Sequence, residues 1–414
     1  MSNENKLIPE LRFPEFENDG DWEMKAIGDV FKSFSGGTPN TSEREYYGGK
    51  IPFIRSAEIN RDRTELFITE EGLKNSSAKI VDKGDLLVAL YGANSGDSSI
   101  CNINGAINQA ILCLQSEFSN AFTYNFLTLK KDLIVSKFIQ GGQGNLSGDI
   151  VKSITVPFPK KNEQQKIASC LLSLDEVIAT HNQKLNLLKD HKKALMQNLF
   201  PQEGEKVPKY RFKEFEKDGE WELKPFSKYI KLYRGSSPRP IIEYQTQGVD
   251  GVNWIKIGDT GSVTDFVIRS VSEKITPKGA EKSRAVKKGE LILANSMSYG
   301  STYLLDIEGC IYDGWFVLRE YDEVFDKQFL LQLLNSEFMQ NQYKKLAAGG
   351  IVQNISSEIV YSTLLPKTSK TEQQKIASCL SSLDALITAQ AEKIEQLKLH
   401  KKGLMQGLFP KIEI

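Results

Sequence analysis

"EQQKIASC" occupies residues 163–170 and returns letter for letter at 372–379. A gapless comparison of 162–201 with 371–410 matches about 25 of 40 positions, so the phrase belongs to an internal duplication. The duplication reaches further. "RFPEFENDGDWEMK" (12–25) returns as "RFKEFEKDGEWELK" (211–224), and "NLSGDIV" (145–151) returns as "NISSEIV" (354–360). Between these anchors the halves diverge almost completely, apart from echoes such as "KGDLL" (83–87) and "KGELI" (288–292). The layout is variable domain, repeated segment, variable domain, repeated segment, with boundaries at 1–160, 161–201, 202–367 and 368–414.

The repeated segment reads as a helix with a narrow seam. From Ile167 the seam runs Leu171, Leu174, Ile178, His181, Leu185, Leu188, Lys192, Leu195 and Leu199, alternating steps of four and three. The second copy runs Ile376, Leu380, Leu383, Ile387, Gln390, Ile394, Leu397, Lys401, Leu404 and Leu408. This is a heptad pattern rather than the broader stripe of a globular surface helix. Each helix spans roughly 33 residues, on the order of 50 Å, between bounding prolines. A lone helix of this kind is unstable, so the two copies are expected to pack on each other. Duplication makes that pair antiparallel with approximate two-fold symmetry, which places the variable domains at opposite ends. Polar residues interrupt both seams at matched places. They fix register or face a partner, or, for Lys192 and Lys401, they lie near fraying helix ends.

The variable domains read as mixed α and β. "KIPFIRSAEI", "DLLVALYG" and "AINQAILCL" in the first, with "VNWIKIGD", "ELILANS" and "CIYDGWFVLR" in the second, look like strands between glycine turns. Each domain then ends in a helix, at about 120–139 and 326–347. The fold class is α+β: two mixed α/β domains joined by two long antiparallel coiled-coil helices with pseudo-two-fold internal duplication.

Composition narrows the function. The chain has 414 residues, 40% hydrophobic and 26% charged, with no apolar run long enough to cross a bilayer and no signal-peptide pattern. A cytoplasmic location is the default expectation. Five cysteines without a C-x-x-C pair argue against a disulfide framework or zinc site, and Cys170 and Cys379 read as buried small hydrophobes. Fifty-three basic and 53 acidic residues cancel, so any nucleic-acid surface must be locally segregated. Residues 1–160 carry 17 basic and 21 acidic side chains, whereas 224–288 carry 13 and 6.

Catalytic signatures are missing from the sequence. There is no G-x-x-x-x-G-K-[ST] loop, no G-x-G-x-x-G and no Asn/Asp-Pro-Pro-aromatic tetrapeptide, and the three histidines all lie in the repeated helices. "DWEMK" and "EWELK" contain the Glu-x-Lys fragment of metal nucleases, but the upstream Asp ligand is not at strand spacing. Trp22 and Trp221 in the same motif point to a packed strand entry instead.

Similar domains held apart by rigid helices suit a ligand with two separated sites, and double-stranded DNA is the commonest such ligand. Divergent loops beside repeated spacers then let each domain read a different sequence. Loops rich in Arg, Asn, Ser, Thr and Gly are the candidate readers. In the first domain they are 33–50 (Thr38, Arg44, Tyr47, Lys50), 54–63 (Arg55, Arg61, Arg63), 91–99 (Tyr91, Asn94, Ser95) and 141–147. In the second they are 233–240 (Arg234, Ser236, Arg239), 256–262 (Lys256), 295–301 (Asn295, Ser296, Tyr299) and 349–356. Asn145 and Asn354, at the repeated junction, read as caps of the next turn or helix. A non-DNA scaffold presenting two protein-binding domains is the alternative, and a single-chain nuclease or methyltransferase is disfavoured by the missing motifs.

The phrases "EQQKIA", "SLD", "HKK.LMQ.LFP", "SGGTP", "KGDLL" and "NLS", in this architecture, resemble the specificity subunit of type I restriction-modification systems over essentially the whole chain. The resemblance implies two target-recognition domains, each reading half of a bipartite asymmetric site, and helices acting as a ruler. It implies no catalytic residue or cofactor on this chain. S-adenosylmethionine, ATP and Mg are expected on two modification subunits that methylate adenine and on restriction subunits that translocate and cut. Carried onto this chain, Gln164, Gln165, Lys166, Lys193 and Gln197, with Gln373, Gln374, Lys375, Lys402 and Gln406, are the expected docking positions for the modification subunits.

Overall fold

The computed structural model describes residues 7–412 except 118, 139–144, 262, 264 and 348–353. The chain forms two compact units. One combines Met1–His181 with Lys393–Ile414, and the other is Asn182–Glu392. Each unit thus holds one variable domain and part of both long helices.

In the first unit the order is β1 (Glu23–Ala26), α1 (Ile27–Val30), β2 (Lys32–Ser35), β3 (Tyr47–Ile54), β4 (Leu66–Ile68), α2 (Glu70–Lys74), β5 (Lys79–Val81), β6 (Leu86–Ala89), β7 (Ser98–Ile100), β8 (Gly105–Ile107), β9 (Ile111–Gln115), α3 (Asn120–Phe138), α4 (Gly148–Ser153), β10 (Thr155–Phe158) and α5 (Lys161–Leu199). One sheet runs β2-β9-β6-β7 and is antiparallel throughout; another runs β4-β3-β8-β5, with β3 and β8 parallel. Alternation along the strands builds two cores. Leu87, Ala89 and Cys113 meet Ile54, Val81 and Ile107 between the sheets. Leu86, Val88, Leu112 and Leu114 face Phe122 and Phe126 of α3, Ile167 and Leu171 of α5, and Met405, Leu408 and Phe409 from the end of the second long helix. Trp22 is buried here with its ring 5.7 Å from Phe122 and 6.2 Å from Phe409, as expected for a packed strand entry. Burying each such side chain contributes roughly 1.5–3 kcal/mol.

"AINQAILCL" is two strands, not one. Asn108 accepts the Ala110 amide at 3.2 Å and turns the chain, so that Ala106 and Ile107 end in one sheet while Ile111 begins a strand of the other. "CIYDGWFVLR" divides in the same way in the second unit.

The second unit comprises β11 (Glu222–Pro225), β12 (Lys231–Arg234), β13 (Gln245–Thr246), β14 (Val252–Ile255), β15 (Val267–Ile268), β16 (Glu273–Ile275), α6 (Pro277–Glu281), β17 (Arg284–Val286), β18 (Leu291–Ala294), β19 (Thr302–Leu305), β20 (Gly309–Ile311), β21 (Trp315–Arg319), α7 (Lys327–Leu334), α8 (Glu337–Ala347), α9 (Ser357–Ser362), β22 (Leu364–Lys367) and α10 (Lys370–Leu408), of which it holds the part up to Glu392. Its sheets, β12-β21-β18-β19-β15 and β13-β16-β14-β20-β17, repeat those of the first unit with β13 and β15 added. The helix expected at 326–347 is interrupted at Asn335, whose side chain bonds both backbone groups of Thr302 on β19 at 3.0 and 2.8 Å. The corresponding helix in the first unit runs Asn120–Phe138, and position 139 lies outside the described residues.

The long helices are 39 residues each, about 58 Å; they end where the expected seams end, at Leu199 and Leu408, and begin before them, at Lys161 and Lys370. Within the second unit α5 and α10 run in opposite senses: Leu199 shares a core with Ile376 and Leu380, and Lys192 pairs with Asp384 at 2.6 Å. Within the first, Leu171 shares a core with Met405, and Asp175 pairs with Lys401 at 2.6 Å. Lys192 and Lys401 are therefore paired seam residues rather than fraying ends. Cys170 and Cys379 are half-buried, short of the full burial expected. A further matched pair fixes each helix start. Arg12 forks onto Glu163 with two 2.8 Å bonds and donates to the Gly20 carbonyl at 2.7 Å, and Arg211 does the same to Glu372 and Gly219.

Candidate nucleic-acid interface

In each domain one strand, β2 or β12, is followed directly by a glycine that must lie flat on the neighbouring sheet. A Cβ on Gly36 would stand 1.8 Å from the Ile107 carbonyl oxygen, and one on Gly235 would stand 2.0 Å from that of Tyr312. Only glycine permits that approach. It brings the end of β12 against residues 282–284 at the edge of the other sheet. The Ser236 hydroxyl donates to the Lys282 carbonyl at 3.2 Å, the Ser283 hydroxyl to the Ser236 carbonyl at 2.6 Å, and Arg284 Nε to the Arg234 carbonyl at 3.2 Å.

The side chains along this edge are basic and aromatic. Arg234 Nε donates to the Asp313 carbonyl at 3.2 Å. The Arg284 guanidinium lies 5.8 Å from the Tyr233 ring, and Lys282 Nζ lies 4.8 Å from the Tyr244 ring with a 2.5 Å bond to its hydroxyl. That bond raises the Lys282 ammonium pKa above its ordinary value. Arg239 is 83% exposed, with Asp313 4.0 Å away. Arg234, Ser236 and Arg239 are expected readers and Tyr233 opens the same loop, whereas Tyr244, Lys282 and Arg284 fall outside every candidate loop. The basic excess of 224–288 was the signal, but the members lie some fifty positions apart along the chain.

Other expected readers divide by environment. Arg44, Lys50, Arg63 and Tyr91 are exposed, and exposed Thr38 donates to Gln109 at 2.6 Å. Asn94, Ser296 and Tyr299 are half-buried, and Arg61 stands 3.7 Å from Glu65. The structure corrects several expectations. Ser95 is buried, donating to the Leu90 carbonyl and accepting the Leu146 amide. Asn295 is buried with its amide on the Asp313 carbonyl at 3.0 Å. Tyr47 donates to the Pro39 carbonyl at 2.7 Å and packs on the outer core of its sheet. Arg55 is committed to Glu58 at 2.9 Å and Glu65 at 2.7 Å, and Lys256 to Glu273. Burial pushes the Glu58 carboxyl up, but the Arg55 guanidinium and the Glu65 and Arg55 amides overcome it and hold the group down to about 2. These residues shape the loops.

Of the candidate loops, residues 141–144, 262 and 349–353 lie outside the described residues. The caps at the two repeated junctions are Ser147 and Ser356, which accept the Ile150 and Ile359 amides. Asn145 instead accepts the Gly92 amide at 3.3 Å, and Asn354 bridges to Ser296.

Among the expected docking positions, Gln164 and Gln373 are corrected as well. Gln164 is buried, accepting from Ser119 and donating to the Pro159 carbonyl; Gln373 is buried, accepting the Asp326 amide and donating to the Val324 and Thr368 carbonyls. Both tie the helix start to α3 or α7. Gln165, Gln374, Lys402, Gln406 and Lys193 are exposed, and Gln197 is half-buried. Lys166 and Lys375 are exposed but matched in their contacts, each about 3 Å from a glutamate (Glu15, Glu214) and over a phenylalanine (Phe13, Phe212).

Comparison with known proteins sets this architecture in a family. Residues 19–190 and 236–399 match the type I restriction modification DNA specificity domain. The type I restriction enzyme MjaVIII specificity subunit of Methanocaldococcus jannaschii is 26% identical over 417 residues, covering 96% of this chain and 93% of the relative. The Escherichia coli EcoR124I/EcoR124II specificity subunit is 24% identical over 168 residues, 38% of this chain and 42% of the relative. The fold is similar to that of the S subunit from M. genitalium (TM-score 0.57, 15% identity, covering 98% of this chain and 100% of that one). It is also similar to a chain solved in work on complex assembly and conformational transition of the type I R-M system (TM-score 0.62, 15% identity, covering 95% and 98%). With the specificity module matched over more than three quarters of its length, the chain belongs to the type I restriction modification DNA specificity domain family.

Proposed function

We propose that this chain is the DNA-recognition subunit of a type I restriction-modification complex and that its two domains read the two halves of a bipartite, asymmetric site. The observation that carries this reading is the repetition of one sheet-pair architecture with divergent edge residues on two helices of equal, 39-residue length. Equal helices keep the spacing fixed while the edges are free to differ in what they read. Family membership favours this over a protein-binding scaffold.

In this reading the chain performs no catalytic step and carries no cofactor. Two modification subunits, supplied with S-adenosylmethionine, dock on the exposed duplicated helix positions Gln165, Lys166 and Lys193 with their counterparts Gln374, Lys375 and Lys402. Restriction subunits, using ATP and Mg, join the assembly. An adenine in each half-site is turned out of the stack to reach the partner's pocket, because its amino nitrogen is not accessible for methyl transfer within the duplex. The complex works in the cytoplasm. Among the described residues no helix is long and apolar enough to cross a membrane.

The test is methylome sequencing of cells carrying this chain with its cognate modification subunit, beside cells lacking the chain. The expected result is a bipartite motif with methyladenine in both halves that disappears without this chain. No such motif, with the modification subunit shown active alongside another specificity chain, overturns the reading.

A further inference from the structure

The strand pairings allow the two edges to be compared position by position. Ser35 pairs with Leu112 as Arg234 pairs with Phe316, and Lys79 pairs with Ile107 as Arg284 pairs with Ile311. The equivalents of Arg234, Lys282 and Arg284 are therefore Ser35, Ser77 and Lys79. Three cations in one domain stand where the other has one. The wider segments agree: residues 25–83 hold 10 basic and 9 acidic side chains, while the equivalent 224–288 hold 13 and 6.

How these cations are held separates them from four others of their domain. Lys231, Arg269, Lys288 and Arg319 each pair with a carboxylate, of Glu320, Asp265, Asp306 and Glu290 respectively. Arg234, Lys282 and Arg284 are tethered by neutral groups, two backbone carbonyls and two tyrosines. Neutral tethers orient a cation without cancelling its charge, which suits an incoming anion. Carboxylates lie close by: the Tyr233 hydroxyl donates to Glu320 at 2.8 Å, and Glu358 lines the same cavity as Arg234. The Asp313 carboxylate accepts the Ser237 hydroxyl at 2.5 Å and faces Arg239, and the charge of Glu243 acts on Lys282.

We infer that this edge of the second domain is the phosphate anchor of the molecule: the second domain supplies most of the sequence-independent grip on the DNA backbone, and the equivalent edge of the first, with Ser35 and Ser77 in place of Arg234 and Lys282, does not. The inference rests on the DNA-reading function and adds a division of labour to it. An anchor of this kind acts on any duplex, so the domain that bears it engages DNA before sequence is tested.

The test uses the purified full chain and a random-sequence duplex, with affinity measured against salt. Arg234→Ser with Lys282→Ser gives the second domain the residues of the first. The expected result is a slope of log affinity on log salt shallower by about two, so that between 50 and 200 mM the wild type loses about tenfold more affinity than the variant. Lys288→Ser, which removes a cation paired with Asp306, leaves the slope unchanged. The reciprocal exchange, Ser35→Arg with Ser77→Lys, steepens it and carries the test if the first variant does not fold. A slope unmoved by either exchange, or moved equally by Lys288→Ser, overturns the anchor. Failure of the wild-type chain to bind any duplex, alone or with its modification subunits, overturns the DNA-reading function and the anchor with it.

Discussion

At the residue scale, Arg55 shows how a plausible reader becomes a scaffold. It lies in an exposed loop among Arg61 and Arg63, and no sequence feature separates the three. Glu58, three positions on, is 3% exposed and must be satisfied, so the nearest guanidinium is drawn to it rather than to solvent. A pH dependence follows. Glu58 ionises at about 2 in the folded chain against an ordinary 4.5, so its contribution to stability is fully present above pH 4.5 and is lost as pH falls toward 2. Arg55→Met removes the main group that holds the pKa down. The variant is expected to melt below the wild type at neutral pH, with the gap closing between pH 4.5 and 2. A gap constant across that window would show that Arg55 acts through packing alone. Lys256 and Asp259 occupy the matching corner of the second domain, where the Lys256 amide donates to Asp259 at 2.9 Å.

At the element scale, the long helices were the most legible part of the chain, because their seam is a local period that survives without knowledge of the partner. The paired charges within it were not legible. Lys192 and Asp384 are 192 positions apart and meet only when the helices run in opposite senses. The strands were less legible again. The runs around Asn108 and Asp313 read as single strands because their apolar residues are continuous, yet each changes sheet at a turn, and a one-residue slip there would send the side chains to the wrong core. The edge cluster was hidden for the same reason, since register brings Arg234 beside Arg284. For the helix pair, Lys192→Met leaves Asp384 with Gln332 as its remaining side-chain partner, at 3.0 Å. The single variant is expected to cost about 3 kcal/mol, and Lys192→Met with Asp384→Leu to recover most of it. In thermal unfolding, a double-variant loss equal to the sum of the losses from Lys192→Met and from Asp384→Leu made singly would mean that the pair contributes no coupling.

At the scale of the whole molecule, the symmetry of the duplication singles out one place where length can change without disturbing either unit. Residue 175 meets 401 in one unit and 192 meets 384 in the other, and the two pairs are related by the same 209-position offset as the repeated phrases. The centre of that symmetry falls between Gln183 and Lys184 in α5 and between Glu392 and Lys393 in α10. Seven residues inserted at both points keep the heptad seam in phase and leave both Lys–Asp pairs within their own units. Each helix lengthens by about 10 Å, on the order of three base pairs of duplex. If the helices set the spacing, the methylated motif retains both half-sites unchanged while the gap between them grows by about that amount. If the edges set it instead, the gap stays fixed and exchanging edge residues moves it. Methylome sequencing of the inserted chain separates the two, because half-site identity and spacing are read from the same motif.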